Sequence, residues 1–284
     1  MEKIGLVLDS TCYMDQETLD LPHVKVVSLH VMEGENSYKE TDLTPEFVIS
    51  EIDKGHKVTS AQPSPEAFKN AFEAFFEEGY DKVAAIVISR GLSGTYQAAE
   101  LGRSLLESHG DDVHVFDTLN AGFGNELIAE KALELIDEGV AFQTLVERID
   151  GIASKCGLLF TVDNLFHLQR GGRLSRTSAF IGTVLRINPI IRLNPQGELK
   201  PVHKERTVKR LIRYVVKTIK STVDENAKLN IRIVHQRSEE EISRLQDALK
   251  ESFDDPVIKV NGYIGPVFAI HIGKKGYGIA WYPE

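Results

Sequence analysis

Ser93 stands between a glycine-containing turn and the start of a helical pattern, in the stretch VISRGLSGTYQAAE (87–100). A serine in that place has three uses. It attacks as a nucleophile, it caps the helix, or it donates to a bound anion. The helix start favours an anion, because free backbone N–H groups and the helix dipole both point there. Two other hydroxyl-bearing segments follow apolar runs in the same way, Asp9-Ser10-Thr11 and Asp117-Thr118. In open α/β sheets such strand ends are where ligands bind.

The nucleophile reading has a concrete form. A hydrolase elbow reads G-x-S-x-G, and Gly91-Leu92-Ser93-Gly94-Thr95 has threonine in the last glycine's place. Asp117 and His271 follow in the order Ser…Asp…His, so a serine hydrolase using Ser93, Asp117 and His271 is the rival reading. A second hydroxyl-rich loop, TSAQPSP (59–65), is stiffened by Pro63 and Pro65. Gly171-Gly172 precede Arg173, and their backbone freedom suits either a helix end or a sharply aimed guanidinium. His271 sits in FAIHIG, read here as an apolar strand. No cysteine or histidine cluster has the spacing of a metal site, and G-x-x-x-x-G-K-[ST] is absent around GKKGYG (273–278).

The elements that must carry these residues alternate. KIGLVLD (3–9), VKVVSLHV (24–31), KVAAIVIS (82–89) and 112–117 read as strands. Helices are expected from Thr44-Pro45-Glu46, from Ser64-Pro65-Glu66 with Phe68, Phe72, Phe75 and Phe76 at helical spacing, and over 94–108, 121–139 and 142–153. This rhythm predicts a three-layer α/β/α domain with a parallel sheet, over residues 1–153. From 154 to 284 the pattern changes. GLLFTV, INPIIRL, ELKPVH, NIRIVH, PVIKVN, PVFAIHIG and YGIAWY read as strands, interrupted by helices at 205–223 and 238–252. A smaller α+β domain with a mixed sheet is expected there, with a ligand cleft between the two.

Composition narrows the function classes. The chain has 284 residues, 42% hydrophobic and 26% charged, as in a globular protein. Two cysteines are too few for a disulfide framework, and no apolar run suits a signal peptide or a membrane span, so a cytoplasmic location is expected. The net charge of −9 argues against nucleic acid as a partner. Between Arg192 and Lys220, however, nine basic residues face two acidic ones. That segment is either one solvated helix face or a contact for anions or a membrane surface.

Taken in order, DST (9–11), TSAQPSP, ISRGLSGTY, LQRGGRLS, NPIIRLNPQGELKPVHKER and IGPVFAIHIGKKGYG resemble the DegV family over nearly the whole chain. The resemblance implies a two-domain protein that holds a long-chain fatty acid in a buried tunnel, without turnover of its own. It further implies service as the binding subunit of a bacterial fatty acid kinase, which makes an acyl phosphate, with no cofactor beyond the bound lipid. By motif, Ser93, with Gly94 and Thr95 beside it, and His271 resemble the family's carboxylate donors. The family's other hydroxyl falls on Ser60, with Thr59 displaced by one because Ala61 stands before Gln62. Arg173 and Arg206 resemble basic residues at the tunnel mouth. Lys209, Arg210 and Arg213 extend that basic set as a contact for the kinase partner or an anionic membrane surface. GKKGYG departs from the family's usual glycine-proline-glycine stretch.

Overall fold

The computed structural model describes residues 2–174, 187–224, 226–261 and 264–284. Its first sheet forms from the apolar runs that the alternation predicts. The early strands are β1 (Ile4–Asp9) and β2 (Val24–Val27), followed by β3 (His30–Glu33), β4 (Asn36–Lys39) and β5 (Val58–Ala61), then β6 (Lys82–Val87) and β7 (Val113–Asp117). Four of them make a parallel sheet in the order β2-β1-β6-β7. Helices α1 (Gln16–Leu19), α2 (Pro45–Asp53), α3 (Pro65–Glu77), α4 (Thr95–Ser104), α5 (Phe123–Asp137) and α6 (Phe142–Lys155) connect them and continue to the second sheet.

Strand parity divides the core into two layers. Val7, Val83, Ala85 and Val87 pack with Phe68, Phe72 and Phe75 of α3 and Ala98 and Ala99 of α4. Leu6, Leu8, Ala84 and Ile86 face the other way, onto Ile128 and Ala132 of α5 and Leu145 and Ile149 of α6. A sheet covered on both faces explains why β1 is buried along its whole length. Pro45 and Pro65 each begin a helix behind a hydroxyl cap, Thr44 and Ser64, as their sequence implies.

The second sheet has six strands: β8 (Gly157–Val162), β9 (Asn188–Leu193), β10 (Leu199–Glu205), β11 (Leu229–Gln236), β12 (Val257–Asn261) and β13 (Gly276–Pro283). Their order is β10-β9-β8-β13-β11-β12, antiparallel except for the β11–β12 pair. The accompanying helices are α7 (Phe166–Arg170), α8 (Val208–Lys220), α9 (Glu239–Ser252) and α10 (Pro266–Ile272). α8 and α9 cover one face, packing Leu211, Ile212, Val215 and Leu245 on Leu159, Ile190 and Ile279.

Two expectations are corrected. VKVVSLHV is two strands, not one: β2 stays in the parallel sheet, while β3 pairs antiparallel with β4 and β5 in a separate three-stranded sheet. The chain turns out where Leu29 N–H donates to the Ser10 hydroxyl. PVFAIHIG is helix α10, not a strand. Pro266 presets its first helical turn, and Val267, Ala269 and Ile270 pack on Val48 and Ile49 of α2 and Val31 of β3.

A buried ion network ties α5 to the second sheet. Glu126 accepts from Asn261 Nδ2 at 3.0 Å and lies 3.5 Å from Arg232 Nε and 3.4 Å from Lys259 Nζ. Glu130 pairs with Arg232 and with Lys259. Burial raises the Glu126 carboxyl above its ordinary range, with the Glu130 charge adding to it.

Candidate ligand-binding site

A cavity opens beyond the carboxyl ends of β6 and β7, against the face of the second sheet that α8 and α9 leave uncovered. Ile88, Leu92, Ala121 and Phe123 line it from the first side. Leu158 and Phe160 of β8, Leu193 and Leu199 line it from the second, alternating with Leu159, which faces α8. Val267, Phe268 and Ile272 of α10 close it. A second void, lined by Val234 and Ile264, shares Phe123, Phe160, Phe268 and Ile272 with the first.

The polar groups of the cavity, Ser60, Gln62, Ser93, Arg173 and His271, are linked by short contacts: Ser60 touches His271, Arg173 donates to Leu92 O beside Ser93, and Gln62 packs against Gly94. Ser93 sits on a loop held from several sides. Ser89 N–H donates to Asn120 O, Arg90 N–H to Asp117, and Ile88 N–H to the buried Asp9 carboxylate. The Ser89 hydroxyl donates to Gly197 O across 108 residues. A Cβ at Gly91 would stand 2.7 Å from the backbone of Gly197, itself at φ +71°, so only glycines allow the β9–β10 turn to seat on this loop.

Ser93 is not the helix cap, because Gly94 occupies that position. Its hydroxyl lies 2.9 Å from the Thr95 hydroxyl and receives Thr95 N–H only at 3.4 Å. Gly94 and Thr95 stand behind it and do not line the cavity, and Thr95 is fully buried. Strand parity settles the TSAQPSP loop. Ser60 points into the cavity and touches His271 Nε2 at 2.9 Å, whereas Thr59, on the opposite face of β5, is exposed. Thr59 is therefore not a cavity donor.

Among the described residues His271 Nδ1 is buried without a hydrogen-bond partner. Burial lowers the imidazole from 6.5 to about 4, and the nearby Arg173 and His167 add to this, so the ring is neutral at pH 7. Between pH 6.5 and 4 the unfolded chain therefore binds a proton that the folded one refuses. Stability falls as the pH drops through that window. Urea melts should show about 2 kcal/mol lost between pH 7 and about pH 4.5, and less in His271→Gln.

Arg173 is brought in by the glycines before it: Gly171 ends α7 and Gly172 takes φ +74°. Its guanidinium donates to Leu92 O and Gly171 O, and among the described residues no carboxylate pairs with it. Burial lowers its pKa. It lines the cavity and is half-buried there. Ser175, the last residue of LQRGGRLS, lies outside the described residues.

The hydrolase triad does not assemble. Asp117 pairs with Arg90 and accepts backbone N–H groups, while His271 meets Ser60 and no carboxylate among the described residues. Arg206, Lys209, Arg210 and Arg213 are exposed, but none lines the cavity. The last three lie on α8, across the second sheet from it, so they do not form its rim. In GKKGYG the two lysines pair with Asp53 and Glu241. Glu40, which the sequence does not flag, directly follows β4 and is buried against the residues that follow β1. It receives Ser10 and Tyr13 hydroxyls and Val267 N–H, and fixes the start of α10 to β1.

A family model described as "Uncharacterised protein, DegV family" matches residues 3–284. The chain belongs to the DegV family. It is 30% identical to a DegV domain-containing protein of Clostridium perfringens, over 99% of each chain. A solved DegV family protein of Thermus thermophilus, described for its fatty-acid binding, is 27% identical, with a TM-score of 0.89 over 99% of this chain and 100% of that one. DegV of Bacillus subtilis, described as a fatty acid binding protein, is also 27% identical, with a TM-score of 0.85 over all of both chains. The DegV architecture of a parallel and a separate mixed sheet is thus the fold of this chain. Among the described residues no helix is long and apolar enough to cross a membrane.

Proposed function

We propose that this protein binds one long-chain fatty acid, with the carboxylate at Ser93, Ser60, His271 and Arg173 and the acyl chain along the apolar walls. The observation that carries this reading is the cavity's one-sided chemistry. Its walls are aliphatic and aromatic, and its polar lining offers two hydroxyls, an amide, a neutral imidazole and a guanidinium, with no carboxylate among the lining residues. That is a site short of one anion. Solved relatives described as fatty acid binding proteins support the same ligand class. An acyl chain gains about 0.8 kcal/mol per buried CH₂, roughly 11 kcal/mol gross for about 14 methylenes before ordering costs.

On this reading residues 1–153 and 154–284 act as two domains around the lipid, and the protein is a carrier without turnover alone. The family resemblance supports presentation of the carboxylate to a kinase partner. The exposed basic residues Arg206, Lys209, Arg210 and Arg213 are then the contact for that partner or for anionic lipid during loading.

Organic extraction of purified protein and mass spectrometry test the reading, with about one fatty acid per chain expected. Protein that carries none and takes up no fluorescent fatty acid would refute it. Ser93→Ala is expected to weaken oleate by about 1.5 kcal/mol, roughly tenfold, with an unchanged melting temperature in the lipid-free protein. An unchanged affinity would reduce Ser93 to a brace for Thr95.

A further inference from the structure

Away from the cavity, three metal-ligating side chains from three places in the chain meet at one point. Glu33 ends β3, Glu51 lies in α2, and His56 lies between α2 and β5. His56 Nδ1 stands 2.7 Å from Glu33 Oε1 and 2.7 Å from Glu51 Oε2. All three atoms lie within 4.8 Å of one another.

Hydrogen bonding alone does not satisfy this arrangement. Nδ1 carries at most one hydrogen, so two carboxylate oxygens compete for one donor. Glu51 has a second cation, Lys54, 2.6 Å from its other oxygen, which leaves Oε2 turned to His56. Glu33 has no lysine or arginine partner among the described residues. Two carboxylate oxygens thus face one ring nitrogen that can donate to only one of them. The Glu51 side chain is only 9% exposed and that of Glu33 20%, while His56 is half exposed.

We propose that Glu33, Glu51 and His56 bind one divalent transition-metal ion of the zinc type. One imidazole and two carboxylate oxygens suit that ion, and a water would fill the fourth position. Zinc bonds of about 2.0–2.2 Å put tetrahedral ligands roughly 3.4 Å apart, so the two 2.7 Å separations between His56 and the glutamates must each open by about 0.7 Å. His56 is half exposed and has room to do this. The ion would cross-link β3, α2 and the entry to β5. Glu33 is paired in register with Val58, the first residue of the strand that carries Ser60. The ion would therefore fix the root of that strand. The proposal stands apart from the fatty-acid reading, since none of its ligands lines the cavity.

Untagged full-length protein, stripped with chelator, is titrated with Zn²⁺ by calorimetry and melted with and without the ion. One equivalent is expected to bind and to raise the melting temperature. His56→Ala and Glu33→Gln should each weaken it at least tenfold, about 1.4 kcal/mol or more, and abolish the thermal shift. His56→Asn gives the same readout should His56→Ala fail to fold. Absence of saturable binding overturns the proposal. So does binding that both variants retain unchanged, which would place the ion on other side chains.

Discussion

Arg173→Gln is expected to weaken fatty-acid binding about a hundredfold, more than Ser93→Ala does. The guanidinium is half-buried and spends its known hydrogen bonds on two backbone carbonyls. Its charge meets no described carboxylate, so a bound carboxylate would be its counter-ion. Removing one partner of a buried charge pair costs about 2–5 kcal/mol, because the other charge is left desolvated. A fatty alcohol of the same length separates this from packing. It lacks the charge, so wild type and Arg173→Gln should bind it equally. An equal loss for acid and alcohol would mean that Arg173 only shapes the cavity wall.

The second large effect falls on stability. Arg232→Ala should lower the unfolding free energy by about 3–5 kcal/mol in urea melts, because Glu126 and Glu130 lose their buried partner. Arg232→Met with Glu126→Gln should recover much of that loss, since no uncompensated charge would then be buried. A single Arg232→Ala within 1 kcal/mol of wild type would show that Lys259 and Asn261 suffice to hold the α5 carboxylates.

The sequence read well where burial imposes a period. β1 and β6 are continuous apolar runs because helices cover both sheet faces, and Phe68, Phe72 and Phe75 mark α3 because one side of it is core. It read poorly where an element is short. Four-residue strands such as β3 and β5 have no period to detect, and α10 is an apolar run whose length fits a strand as well as two helical turns. The site followed the same division. Ser93 and His271 could be named, but their chemistry depends on burial, which no motif states. Choosing Ser60 over Thr59 required the register of β5 on β3. Glu33, Glu51 and His56 carry no spacing signal at all, since the fold alone brings them together.

The contact between Ser60 and His271 spans 211 residues. It sets an order of events during synthesis. The strands of the parallel sheet end at Asp117, so that sheet can pair early, while the chain is still being made. Its ligand end stays unroofed until α10, near the very end of the chain, docks back on α2 and β3. Loop closure over such a distance is slow, because entropy is lost before any contact rewards it. A nascent chain therefore has the scaffold but no receptor. On the fatty-acid reading, lipid capture becomes possible only as the final step of folding, and a chain truncated before Pro266, which also loses β13 between β8 and β11, would be expected to keep at most its parallel sheet and to bind no fatty acid.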